Sequence, residues 1–463
     1  MGIFVLVYKD KFLNYSTERI DNVNSEQIKR IKSKMKLKIL SIFAVLWSIN
    51  GMAQESKGLI IKDINIITMT SPNVTERKSV LIENGKIVKI DDFKKLSKKS
   101  NLEIIEGYNK FLMPGLAEMH SHVPAEKDVE NYLLENIAAG VTHIRIMNTK
   151  TPQLLLKNKI ETNSKIVNPK IHYSHIISRE DKYTEPQFDS LMVAIKKNNL
   201  NFIKVFSIAN EEVFDNLMKS ANRNSVIVCG HYPKDVALEK VLQSGYKSIE
   251  HLAGYEKINN QNTLANAILL TKKYSVYNCP TLDWDIMSVK LSYPNDYKNR
   301  LVYFNAPKTY LEKWEKELND YVTAKGNDQI IQAAEKYKPQ FQYKQKILKQ
   351  LNDNKCLLLL GSDPAGTFQM NGFNMYEEMV NWSNAGIDTF TILKSATSTP
   401  ASFFGETKNW GTIELGKSAD LIILDKNPLQ DITNIKTVAI TIIEGKVYVK
   451  SDLLKKLESN SKN

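Results

Sequence analysis

Two histidines one residue apart, His120 and His122, close the run Pro114-Gly115-Leu116-Ala117-Glu118-Met119-His120-Ser121-His122. Side chains alternate faces along a strand, so both imidazoles point the same way, at a separation that can grip one metal ion. A lone His-x-His is weak, but the chain holds seven histidines in all and two others also end short apolar runs. These are His231, after Val226-Ile227-Val228-Cys229-Gly230, and His251, after Lys247-Ser248-Ile249-Glu250. Asp363 follows Leu357-Leu358-Leu359-Leu360-Gly361-Ser362 at once. Lys204 sits in Phe202-Ile203-Lys204-Val205-Phe206, where a buried strand should be apolar, and a free ammonium there is costly without a partner. Imidazole nitrogen and carboxylate oxygen are zinc ligands, and a catalytic zinc keeps a position for water. From the residues alone, the four histidines and the aspartate could hold one metal or two.

The elements that must position these residues alternate apolar strand-like runs with helical patterns, which favours a parallel sheet. Eight runs qualify: Leu116–His120, His143–Met147, Lys170–His175, Phe202–Phe206, Ser225–Cys229, Lys247–Glu250, Tyr274–Asn278 and Cys356–Gly361. Eight such units predict an α/β fold, a (β/α)8 barrel of the TIM type. The candidate ligands then fall at the C-terminal ends of the first, fifth, sixth and eighth strands, with Lys204 in the fourth. Barrel active sites sit at that face. Short β-rich runs with turns, such as Asn84-Gly85, occupy 54–112 and again 412–463. They predict one small composite β-sandwich built from both ends of the mature chain, around a barrel over 113–411. A charged insertion at 284–355, with helical runs at Tyr310–Ala324 and Gln329–Leu351, is read as a solvated hairpin or as a lid over the catalytic face.

With these motifs in order, the chain resembles the metal-dependent amidohydrolase superfamily. It is most similar to the imidazolonepropionase-like branch, which includes binuclear zinc prolidase-type and carboxypeptidase-type hydrolases. The resemblance runs from about Gly58 to Lys450. It rests on the Pro-Gly-x-x-x-x-His-x-His run, Ala139-Gly140-Val141-Thr142, Gly230-His231, Ile249-Glu250-His251, Gly361-Ser362-Asp363 and the closing Gly416-Lys417-Ser418-Ala419-Asp420-Leu421. It implies two Zn2+ per chain. His120, His122 and Asp363 would bind the first, His231 and His251 the second, and Lys204, carboxylated by carbon dioxide, would bridge them. Asp363 would also shuttle a proton from a metal-activated hydroxide to the leaving nitrogen. The substrate implied is a small-molecule amide, a dipeptide or an N-acyl amino acid. Tyr232, His143 and His175 are candidates to touch it, while His172 reads as structural. Relatives often carry a histidine near the position of Tyr376, so substrate specificity does not transfer directly. Two alternatives stay open: a mononuclear cyclic-amide hydrolase or deaminase with Lys204 unmodified, and a catalytically silent binding protein that keeps the fold.

The formal charge of +12 includes +5 from residues 1–53, and the remaining basic residues are scattered rather than set in a stripe with aromatics. No nucleic-acid partner is expected. The three cysteines, Cys229, Cys279 and Cys356, lie in apolar runs and read as small core residues. Met35-Lys36-Leu37-Lys38, the apolar run Ile39 to Ile49 and Gly51-Met52-Ala53 read as a secretory signal at 35–53, cleaved before Gln54. That run falls short of the roughly 20 apolar residues of a membrane span. No stable span is expected after cleavage, and the protein is expected to be periplasmic or secreted. Residues 1–34 then read as a start-site artefact or a disordered extension; an uncleaved amphipathic anchor is the alternative. A homo-oligomer is left open.

Overall fold

The computed structural model describes residues 58–96, 102–148, 157–158, 160, 168–288 and 297–461. The signal segment at 35–53 and the extension before it lie outside the described residues. Five strands precede the barrel: β1 Gly58–Ile67, β2 Val74–Glu83, β3 Lys86–Asp91, β4 Leu102–Glu106 and β5 Phe111–Pro114. Seven parallel strands follow: β6 Leu116–Ser121, β7 Val141–Ile146, β8 Lys170–Ile177, β9 Phe202–Val205, β10 Ile227–Gly230, β11 Ser248–Glu250 and β12 Tyr277–Cys279. Three more complete the first sheet: β13 Leu421–Leu424, β14 Val438–Ile443 and β15 Lys446–Val449. The first and last groups join in one eight-stranded sheet, ordered β15-β14-β13-β5-β1-β2-β3 with β4 on β1. Its isoleucine-rich alternation buries Leu59, Ile61, Ile64, Val80, Ile87, Leu421 and Ile423 in a core of its own. β5 leads directly into β6, so this β domain fixes where the barrel begins.

The parallel strands run β6 to β12 as neighbours, and the eighth position is filled by residues 357–363 without regular strand geometry. Asn278 N donates to Leu357 O at 3.0 Å and Leu359 N to Asn278 O at 2.9 Å, on the β12 side. Met119 N donates to Leu360 O at 3.2 Å and Asp363 N to His120 O at 2.9 Å, on the β6 side. Leu360 N turns away to Ser395 O at 3.0 Å, which interrupts the ladder expected over Cys356–Gly361. The chain there closes the barrel without becoming a regular strand. Inside, Ala117, Met119, Phe202, Cys229, Tyr277, Cys279 and Leu359 pack as a solid plug with Phe403 and Trp410.

β6 carries an irregularity that aims its histidines. Glu118 pairs with Ile144 and Ser121 with Ile146, so three steps along β6 match two along β7. Before the slip, Ala117 and Met119 face the barrel interior. After it, Ser121 faces outward to the Tyr132 hydroxyl at 2.8 Å, and His120 turns inward. Such bulges re-aim side chains next to active sites.

The insertion after β12 forms helices Leu282–Ser288, Lys308–Lys325 and Asn327–Asp353, with Gly326 at the tip between the last two. Buried Lys344 binds Asp285 at 2.9 Å and Glu256 at 3.2 Å. The Tyr310 hydroxyl donates to Glu135 at 2.8 Å, and Lys308 N to Glu458 at 2.9 Å. These bonds fasten the hairpin to the barrel loops, one barrel helix and the C-terminal helix. No helix among the described residues is long and apolar enough to cross a membrane.

Candidate metal centre

His120 lies near the end of β6 and His122 just beyond it, His231 directly follows β10, His251 directly follows β11, and Asp363 lies on the closing segment. The Asp363 carboxylate is 3.0 Å from His122 Nε2, 3.7 Å from His120 Nε2 and 4.0 Å from His251 Nε2. Ring centroids are 5.4 Å apart for His120 and His122, 4.9 Å for His120 and His251, and 5.1 Å for His231 and His251.

The tautomers of three imidazoles follow from their partners. His120 Nδ1 lies 2.9 Å from Glu250 Oε2, a carboxylate that Arg145 also binds at 2.8 Å. His231 Nδ1 lies 2.9 Å from the Phe206 carbonyl. His251 Nδ1 lies 2.6 Å from Thr281 Oγ1, whose own proton goes to Pro280 O at 2.8 Å. Each partner is therefore an acceptor, each Nδ1 carries the proton, and each Nε2 keeps its lone pair. Hydrogen bonds of this kind orient metal-binding histidines. Burial pushes His120 and His251 well below the usual histidine range, and burial with Lys204 nearby brings His231 down to about 4. Three neutral imidazoles beside a carboxylate are a donor set that fits zinc, and His120, His251 and Asp363 offer ligand atoms within 4.8 Å of one another. His120, Glu250 and Cys279 lie equally close. That second set is poorer, because Glu250 is already engaged by Arg145, Ser248 and His120 Nδ1.

Lys204 is 1% exposed, and among the described residues no carboxylate lies within 4.0 Å of its Nζ. Burial lowers its pKa, against the pull of Glu250, Cys229 and Asp363. Burial opposes the charge on Asp363, yet its hydrogen bond with His122 helps hold it below the usual carboxylate range. The backbone is tight at these positions. His251 and Asp363 take φ of 64° and 48°, a region that non-glycine residues rarely visit and that clusters at functional sites. A Cβ on Gly230 would come within 2.4 Å of Val205 O, and one on Gly361 within 2.7 Å of His120 N. The two motif glycines thus let the ligand-bearing segments approach their neighbours.

The three candidates for substrate contact are placed differently from the expectation. His143 does not reach the site: it is in register with Ala117, below the level of His120, near the start of its strand. Its Nε2 is 3.3 Å from Asp420, its Nδ1 is 3.5 Å from His172 Nε2, and its ring stacks on Trp410 at 3.6 Å. His175 is in register with Ile203, on the sheet face opposite Lys204. The Tyr232 hydroxyl donates to Val236 O at 2.5 Å, within its own loop.

Four supporting residues escaped the sequence reading: Glu118, Arg145, Glu250 and Thr281. Glu118 accepts from His120 N at 2.9 Å and Ser362 N at 3.0 Å, which clamps the two segments that carry His120 and Asp363. Burial raises its pKa to about 7. For Glu118, Arg145 and Glu250 the available signal was a charge inside an apolar strand, as it was for Lys204; Thr281 carried none.

Residues 111–448 match the amidohydrolase family. The chain is similar in structure to a Xaa-Pro dipeptidase crystallised with methionine in its active site, at 18% identity and a TM-score of 0.64, over 85% of this chain and 100% of that one. It is also similar to the bottromycin amidohydrolase, at 18% identity and a TM-score of 0.66, over 88% of this chain and 91% of that one. For the ochratoxinase of A. niger the values are 16% and 0.62, over 86% and 96%. In sequence, 49 residues are 47% identical to the 5'-deoxyadenosine deaminase of Methanocaldococcus jannaschii, a match that spans 11% of each chain.

Proposed function

The chain belongs to the amidohydrolase family and is a hydrolase acting on carbon–nitrogen bonds; on that premise we propose that it cleaves an amide of a dipeptide or an N-acyl amino acid. One observation carries this reading: the Nε2 atoms of His120 and His251 face one carboxylate beside a buried lysine that has no carboxylate within 4.0 Å among the described residues. His120, His122 and Asp363 would hold one zinc, and His231 and His251 a second. Lys204 would lie between them as a carbamate. Burial lowers the pKa of its amine, and an unprotonated amine is the form that adds carbon dioxide. Zinc bound there supplies a water of lowered pKa and polarises the amide carbonyl. Asp363 takes up the proton released as the carbonyl carbon is attacked, then delivers it to the leaving nitrogen, so that the product departs as a neutral amine. Glu250, tied to Arg145, keeps the His120 ring in the orientation this requires.

A screen of dipeptides and N-acyl amino acids against zinc-loaded protein, with metal counted per chain, tests the proposal. Two ions and cleavage of at least one such amide are expected. Lys204→Ala should lose most of the activity, and a short carboxylic acid should restore part of it. One ion with Lys204 unmodified would favour the second reading, a mononuclear cyclic-amide hydrolase or deaminase, which the short deaminase match supports. Export to the periplasm or beyond is part of the same proposal, supported by the basic, apolar and small-residue pattern of 35–53. N-terminal sequencing of protein exported by a Gram-negative host should then begin at Gln54.

A further inference from the structure

Two large aromatic side chains stand open at the rim beside the histidines. Phe206 is 59% exposed and Trp284 is 37% exposed. The Phe206 ring lies 5.1 Å from the His231 ring, and the Trp284 ring lies 5.6 Å from the His251 ring. With His231 and His251 themselves 5.1 Å apart, four rings follow one another along the rim, from the end of β9 to the short helix after β12.

Neither aromatic is on a loose segment. Phe206 N donates to Ile177 O at 2.8 Å, and its carbonyl accepts the His231 proton at 2.9 Å. Trp284 sits between two anchored aspartates. Asp283 binds Arg300 at 2.9 Å, and Asp285 binds Lys344 at 2.9 Å. The start of its helix is held by Glu378, which accepts from Leu282 N at 3.0 Å and from Asp283 N at 2.7 Å. Scattered exposed aromatics are ordinary. A pair with fixed backbones, each set against a candidate ligand, offers preorganised walls instead. Such walls receive a flat ring at little ordering cost, by stacked or edge-on contacts.

We propose that Phe206 and Trp284 determine specificity at this site, selecting amides that carry an aromatic ring beside the scissile bond. The proposal rests on the amide-hydrolase reading above. It assigns a substrate class that neither the candidate ligands nor Asp363 would impose, since those contact the amide itself.

The test compares N-benzoylglycine with N-acetylglycine as substrates of zinc-loaded protein, and benzoate with acetate as equilibrium ligands measured by calorimetry. Wild type should prefer the ring-bearing member of each pair. Trp284→Ala should lower the benzoyl-to-acetyl ratio of kcat/KM by roughly tenfold or more, with metal content per chain retained. Trp284→Phe should keep most of the preference, and Phe206→Leu should lose part of it. The inference is overturned if wild type shows no preference in either pair, or if Trp284→Ala and Phe206→Leu leave the preference intact. If wild type cleaves no amide yet binds benzoate over acetate through Trp284, the amide reading fails and the aromatic row stands.

Discussion

The barrel holds a histidine cluster at each end, and the two differ in which nitrogens are left over. At the C-terminal rim, His120, His231 and His251 each fasten Nδ1 to an acceptor; His120 and His251 present Nε2 toward Asp363, and the His231 ring lies beside His251. At the other end, His143 uses both nitrogens, one on Asp420 and one on His172, under the stacked ring of Trp410. His172 lies against Phe404 at 3.8 Å. Asp420 is itself fixed, accepting Glu444 N at 2.8 Å, while its carbonyl accepts Gly115 N at 2.8 Å. One cluster keeps donor capacity open at an accessible rim. In the other, His143 spends both nitrogens in joining the β domain to the barrel floor, and the remaining Nδ1 of His172 is buried without a partner among the described residues. Residue type does not separate them; what the nitrogens of His120, His231 and His251 face, compared with those of His143, does.

The sharpest break of this comparison is at Asp363. Asp363→Asn keeps size and one ligating oxygen but cannot accept a proton at neutral pH. It should lose roughly 10²–10⁴-fold in turnover while keeping much of its metal. His120→Ala should lose metal and turnover together. Elemental analysis beside steady-state rates on a confirmed amide reads both, and near wild-type turnover by Asp363→Asn would remove the proton shuttle from this residue. A smaller effect is expected one bond further out. Glu250→Gln weakens the acceptor for the His120 Nδ1 proton, and metal affinity should fall by about 10–100-fold, as competition with a chelator would show. Unchanged affinity would make Glu250 a packing residue. The smallest effect on rate is expected at the floor. Asp420→Asn loosens the bonds to His143 and Glu444, at a cost of about 1–3 kcal/mol in urea unfolding, with kcat/KM close to wild type. A large loss of rate in folded protein would mean that the two ends are coupled.

What the sequence disclosed divides along the same line. The candidate rim ligands were legible because each ends or directly follows an apolar run, where a polar side chain needs a reason to be. Seven of the strands were legible from their apolar β-rich composition. The eighth run, Leu357-Leu358-Leu359-Leu360, is as apolar as the others, but its Leu360 amide bonds to Ser395 and the regular ladder does not form. The bulge in β6 leaves no mark in composition, since it is a matter of register with β7. Glu118, Arg145 and Glu250 stood in plain view as charges in strands. Their partners, however, come from distant parts of the chain, and nothing local pairs Glu118 with Ser362 or Arg145 with Glu250. His143 went astray for a simpler reason. Its strand begins at Val141, so it stands near the wrong end of the barrel, whatever its chemistry could have been.

The irregular closing segment also bears on how the barrel stays shut. Residues 357–363 hold β12 on one side and β6 on the other through a few backbone bonds, and they deliver Asp363 opposite His120. An ion shared by His120 and Asp363, as proposed above, would span that seam and be gripped only while it is closed. Ion binding and closure are then two readings of one equilibrium. Each tenfold rise in free metal beyond its dissociation constant stabilises the closed form by about 1.4 kcal/mol. Chelation would act in the opposite direction, as a denaturant directed at a single stave, so an ion that served the chemistry would also fasten the last joint of the fold.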